Sequence, residues 1–207
     1  MRSLGVILRY LSFDIEATGL AEDDLIIEFA MVPFDTNEDE IPLSMAKHFY
    51  VKCPSFESLK PRLDPWVVEH NKELIEKAHS EGISLADFKE EIRAYARQPE
   101  VSEYFKDSPR GKIILFGKSM NAIDLPFMNR DLGWDFMREH FHHQVNDLSS
   151  IAFGMIDMGL LPKECASGSG MMKYLKMGDV AHTALEDAIN TARMYLDLIK
   201  INKKTNV

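Results

Sequence analysis

Asp14 and Glu16 stand two residues apart in the run Leu11-Ser12-Phe13-Asp14-Ile15-Glu16. Apolar and polar side chains alternate there, which is the period of a β-strand. Both carboxylates therefore project from one face, ~6.5–7 Å apart along it. Like charges at that spacing repel unless a cation lies between them, and hard divalent cations take oxygen ligands. The spacing points either to a metal site or to a solvated strand end.

Two further acids stand at helix starts. Asp124 follows the apolar run Ile113-Ile114-Leu115-Phe116 and a turn, where Asp is a favoured cap. Thr183-Ala184-Leu185-Glu186 has the capping-box pattern, with Thr183 at the N-cap. His182 then precedes the cap and Asp187 is the fourth helical residue, two positions whose side chains meet in the staple arrangement. An imidazole there either balances a buried acid or acts as a base beside a metal-ligating carboxylate.

The elements that must hold these residues follow from periodicity. Strands are expected over 5–16, 25–34 and 45–52, joined by short connections into an antiparallel meander. Val67, His70, Leu74, Ile75 and Ala78 fit one helical face, and Leu85, Phe88, Ile92 and Tyr95 fit another. Residues 98–112, with Pro99, Pro109 and Gly111, read as an exposed loop. A strand at 113–116, a helix over 124–133, a short strand at 144–147 and a helix over 148–158 come next. Residues 166–170 read as a Gly/Ser connection. A last helix carries Leu185, Ala188, Ile189, Ala192, Tyr195, Leu196 and Ile199 in register. Residues 203–207 read as a frayed tail. This order predicts an α/β fold with a mixed five-stranded sheet and helices on both faces. One domain is expected over 1–207, with its core at about 8–198.

Asp14-Ile15-Glu16-Ala17-Thr18-Gly19-Leu20, Asn121-Ala122-Ile123-Asp124-Leu125-Pro126-Phe127 and His182-Thr183-Ala184-Leu185-Glu186-Asp187-Ala188 resemble, in order, the three motifs of the DnaQ-like 3′→5′ exonucleases. The histidine five residues before the last aspartate matches the DEDDh branch; the tyrosine branch would place Tyr where Thr183 stands. The likeness spans roughly residues 8–198. Many relatives carry His-Asn before the second motif, where this chain has Gly117-Lys118-Ser119-Met120-Asn121. The resemblance implies a ribonuclease H-like fold and two-metal hydrolysis with Mg²⁺ or Mn²⁺. It implies that Asp14 bridges both ions, that Glu16, Asp124 and Asp187 complete the ligand set, and that His182 is the general base. It further implies a pocket for the 3′-terminal nucleotide at Thr18, Gly19 and Leu20, with Leu20 wedged under the last base. Phe127 either stacks on a base or packs in the core. The expected substrates are the 3′ ends of single-stranded DNA or RNA, and the expected product is a nucleoside 5′-monophosphate.

Composition bounds the partners. With 24 Lys and Arg against 33 Asp and Glu, the formal charge is −9. A protein that grips long nucleic acid through many phosphate contacts is usually basic. The acidic balance therefore favours a short strand, with metal ions supplying the positive charge. Cys53 and Cys165 make neither a disulfide framework nor a zinc site and suit a reducing, cytoplasmic setting. No stretch approaches the ~20 apolar residues of a membrane span. Asp14-Ile15-Glu16-Ala17-Thr18 also approaches the Asp-x-Asp-x-Thr signature of haloacid-dehalogenase-like phosphatases, but Glu16 occupies the place of the second Asp. Gly178-Asp179 lacks the paired acid that signature needs later. A catalytically silent binding module would not need all five chemical positions filled.

Overall fold

The computed structural model describes residues 8–178 and 183–205, the side chains of 203–205 excepted. Five strands form one sheet: β1 (Arg9–Ala17), β2 (Ile26–Asp35), β3 (Lys47–Tyr50), β4 (Ile114–Gly117) and β5 (Asn146–Asp147). Their order across the sheet is β3-β2-β1-β4-β5. β2 is buried along all ten residues, which is why its sequence is nearly continuously apolar. β1 runs antiparallel to β2, from Arg9 opposite Asp35 to Glu16 opposite Glu28. The register then slips between Glu16 and Ala17, a bulge of the kind that bends strands beside functional sites. β1 runs parallel to β4, and β4 to β5.

Helices cover both faces. α1 (Phe56–Leu59), α2 (Pro65–His70) and α3 (Lys72–Glu81) pack with Ile27 and Cys53. α4 (Leu85–Arg97), α5 (Pro99–Tyr104), α6 (Asp124–Leu132) and α7 (Trp134–His140) bury Leu11, Phe13 and Ile15. α8 (Leu148–Asp157), α9 (Gly168–Leu175) and α10 (Ala184–Thr205) cover the opposite face, around Tyr10, Phe34 and Phe116. The expected sheet and its two helical layers are thus present.

Local differences have local causes. The expected helical face over 67–78 is broken at Asn71 into α2 and α3, and His70 turns to solvent, stacked on Trp66 at 4.4 Å. Residues 98–112 are not one exposed loop. Pro99 sits in the first turn of α5, where proline is favoured, and Val101 and Phe105 are buried. Within 166–170, Ser167 caps α9 and Gly168 starts it, with the Ser167 hydroxyl accepting from the Gly170 N–H at 3.1 Å. α7 was not foreseen; it buries Phe136 and Met137. α10 continues to Thr205, past the expected start of the tail.

Candidate active site

The unequal lengths of two strands bring the first two motifs together. β4 pairs with β1 only from Tyr10 to Ser12, and β1 runs on to Ala17. Beyond Ser12 the β1 edge facing β4 has no strand partner among the described residues. The Ile15 N–H instead donates to Asp124 Oδ1 at 3.1 Å. Asp124 is the first residue of α6 rather than its cap, and is 4% exposed. Its carboxylate is thereby fixed beside Asp14, one residue before Ile15.

The third motif arrives on α10. Ala184, Ala188 and Ala192 are fully buried along one stripe, so the helix backbone lies close under the sheet. The Ser12 hydroxyl donates to the Ala188 carbonyl at 2.8 Å across 176 residues of sequence. The N-cap half of the expected capping box is present: the Thr183 hydroxyl accepts from the Glu186 N–H at 3.3 Å, and it also donates to Glu186 Oε2 at 3.4 Å. Asp187 therefore points from the first turn of α10 toward β1, and one oxygen from each of Asp14, Glu16 and Asp187 lies within 4.8 Å of the others. His182 lies outside the described residues.

The electrostatics of this group are those of a site built for a cation. Burial, then the charges of Asp124, Glu16 and Asp187, hold the Asp14 carboxyl well above the ordinary range; Lys118 opposes this. Burial, with Asp187, Glu28 and Asp124, pushes Glu16 up to about 7. Burial raises Asp124 to about 6 despite the hydrogen bonds it accepts from the Ile15 and Asp124 N–H groups. Crowded, desolvated carboxylates with only oxygen donors fit a hard divalent ion.

An open cleft of about 430 Å³ adjoins the acids, lined by Ile15, Glu16, Gly19, Leu20, Trp66 and Ile123 among others. Leu20 is 76% exposed on its rim and Trp66 59%. Two expectations are corrected. Thr18 is not a pocket wall: it is 1% exposed, and its hydroxyl donates to Asp24 Oδ1 at 2.8 Å and accepts from the Leu25 N–H at 2.9 Å. Gly19 does border the cleft, but it also makes room for that same carboxylate; a Cβ there would stand 2.4 Å from Asp24 Oδ2. Thr18 and Gly19 thus shape the turn that presents Leu20. Phe127 is 6% exposed in the core with the Arg130 guanidinium 4.8 Å from its ring centre, so no free face is left for a base. Trp66 and Ile123 also line the cleft. Trp66 stands at the start of α2, two residues after its cap Asp64, and its exposure becomes visible only in the fold.

The RNase T exonuclease family matches residues 11–195. The chain belongs to this exonuclease family. No curated protein sequence matches it. Among solved structures, cell-death related nuclease 4 superposes with a TM-score of 0.64 at 20% identity, over 93% of this chain and 64% of that one. Pop2p of S. pombe, in an Mg²⁺- and Mn²⁺-bound form, gives 0.64 at 16% identity over 91% and 82%. E. coli exonuclease I in complex with a 5cy-dT13 oligonucleotide gives 0.63 at 18% identity over 95% and 41%. The chain thus spans 64% and 41% of the first and last of these. Exonucleases of this family use divalent metals, which agrees with the acidic cluster of this member.

Proposed function

We propose that this chain, acting as one domain, is a 3′→5′ exonuclease that cleaves the terminal phosphodiester of a short single strand of DNA or RNA by a two-metal mechanism. The observation that carries the reading is the convergence of Asp14, Glu16 and Asp187 within 4.8 Å, beside Asp124 and at the mouth of the cleft. Asp14, which feels all three other acids, would hold divalent ions such as Mg²⁺ or Mn²⁺ together with Glu16, Asp187 and Asp124. Two such ions activate water and stabilise the leaving oxygen. Their charge also reverses the sign of a site that would otherwise repel phosphate. His182, five residues before Asp187, is the proposed base that takes the water proton, since imidazole titrates near neutrality. The water oxygen forms a new bond to phosphorus, the bond from phosphorus to the 3′ oxygen of the penultimate nucleotide breaks, and the products are a nucleoside 5′-monophosphate and a shortened strand with a free 3′-hydroxyl. Buried free thiols at Cys53 and Cys165 favour a cytoplasmic setting.

The test is an end-labelled ladder. Single-stranded DNA and RNA oligomers should shorten from the 3′ end with Mg²⁺ or Mn²⁺, stop in EDTA, and resist when the 3′ end is phosphorylated. Equal rates on a circular strand would overturn the polarity.

Leu20 and Trp66 are placed to hold the terminal base, with Ile123 also lining the cleft. Base stacking is worth ~1–3 kcal/mol. Trp66→Ala should therefore raise KM for an oligomer by ~10-fold, with kcat changed by less than about 3-fold, and Leu20→Ala should act in the same direction. Steady-state rates across oligomer concentration check this; an unchanged KM in both variants would move the base elsewhere.

A further inference from the structure

Glu28 is absent from the ligand set above, yet it is the buried acid that joins that set's two halves. It interrupts the apolar run of β2 and is 1% exposed. In register it stands opposite Glu16. Its Oε1 accepts from His48 Nε2 on β3 at 2.5 Å, and its Oε2 accepts from the Ala184 N–H at 3.2 Å. Ala184 is the first residue of α10, three before Asp187. The first N–H groups of a helix have no partner within it, and an anion there is favoured by the helix dipole.

Burying a carboxylate carries a desolvation cost that an apolar residue at this position would avoid. What the carboxylate provides instead is a two-point brace. Ser12 holds α10 at Ala188, one turn after Ala184, and Glu28 holds its first residue. The Asp187 N–H donates to the Thr183 carbonyl at 2.9 Å, so the intervening turn is closed. With its first turn held at both Ala184 and Ala188, α10 has little freedom to carry the Asp187 carboxylate away from Asp14 and Glu16.

We propose that Glu28, oriented by His48, is a positioning residue that fixes the first turn of α10 and thereby sets Asp187 for metal binding. The inference rests on Asp187 being a metal ligand, as in the function proposed above. Groups that orient metal ligands typically contribute 10–100-fold in metal affinity or activity.

The experiment is direct Mn²⁺ binding to the full chain, followed by electron paramagnetic resonance, beside the Mn²⁺ dependence of oligomer cleavage. Glu28→Gln keeps the shape but weakens the acceptor at the helix end. It should bind Mn²⁺ ~10–100-fold more weakly and need correspondingly more for half-maximal rate. Saturating Mn²⁺ should then restore kcat to within about 3-fold, with KM for the oligomer unchanged. A folded Glu28→Gln that binds Mn²⁺ as the wild type does would overturn the proposal. Should Glu28→Gln fail to fold, His48→Ala, at a half-buried position, decides in its place: a weaker Mn²⁺ affinity supports the brace and an unchanged one overturns it. A wild-type chain that binds no Mn²⁺ would overturn the metal site itself, and this inference with it. That result is distinct from an intact wild-type site that is indifferent to Glu28.

Discussion

Asp14→Asn should lower kcat by ~10³-fold or more while leaving the chain folded. Metal activation of water and of the leaving oxygen is worth several kcal/mol, and each ~1.4 kcal/mol is a factor of ten in rate. Asp14 would carry the greatest share of that role because Asp124, Glu16 and Asp187 all act on its charge. The same crowding predicts the sign of the stability change. Desolvation and three like charges oppose ionisation of Asp14, so a neutral amide there relieves repulsion in the metal-free protein. Loss of activity with an unchanged or raised Tm in EDTA would separate chemistry from misfolding. The measurement pairs single-turnover cleavage of an end-labelled oligomer at saturating Mn²⁺ with thermal unfolding without metal. Cleavage within about tenfold of wild type would remove Asp14 from the reaction.

The acids were legible in the sequence because each rests on a short-range rule. Period two places Asp14 and Glu16 on one face, and the capping box fixes the start of α10 and hence Asp187. What brings these elements together was not legible. Asp124 reads as an ordinary cap, and its tie to Ile15 exists only because β4 stops while β1 continues, a difference visible only once the strands are paired. Glu28 reads as a blemish in an apolar strand, since its partners His48 and Ala184 lie 20 and 156 residues away. Thr18 and Gly19 stand in the expected first motif, yet Thr18 serves the turn through Asp24, and Gly19 makes room for that carboxylate while still bordering the cleft. Phe127 had two readings, and core packing under Arg130 decided between them. The sequence reading departs from the structure where proline and glycine read as breakers. Pro99 instead starts α5 and Gly168 starts α9, because neither position needs an N–H or a side chain inside the helix.

Without metal, the protein should lose stability as pH rises through the range in which the site ionises, and divalent ions should reverse that loss. Glu16 titrates at 4.5 by reference and at about 7 in the folded chain. Between those values the folded state holds a proton that the unfolded state has released. The stabilising contribution is therefore complete below 4.5 and is lost as pH climbs through about 7. Asp14 and Asp124 are raised in the same direction, Asp124 to about 6. At ~1.4 kcal/mol per pKa unit, Glu16 alone contributes on the order of 3–4 kcal/mol, or about 7–14 °C in Tm for a chain of this size. A divalent ion binds only the ionised carboxylates, so its stabilising effect should be small near pH 5 and large near pH 8. Glu16→Gln isolates the contribution from every other titrating group. In EDTA the variant should match wild type near pH 5 and exceed it in Tm near pH 8, and added Mg²⁺ should close or invert that gap. A gap that stays constant across this pH range would mean that Glu16 ionises as an ordinary surface acid, and that the cluster does not confine charge as a metal site must.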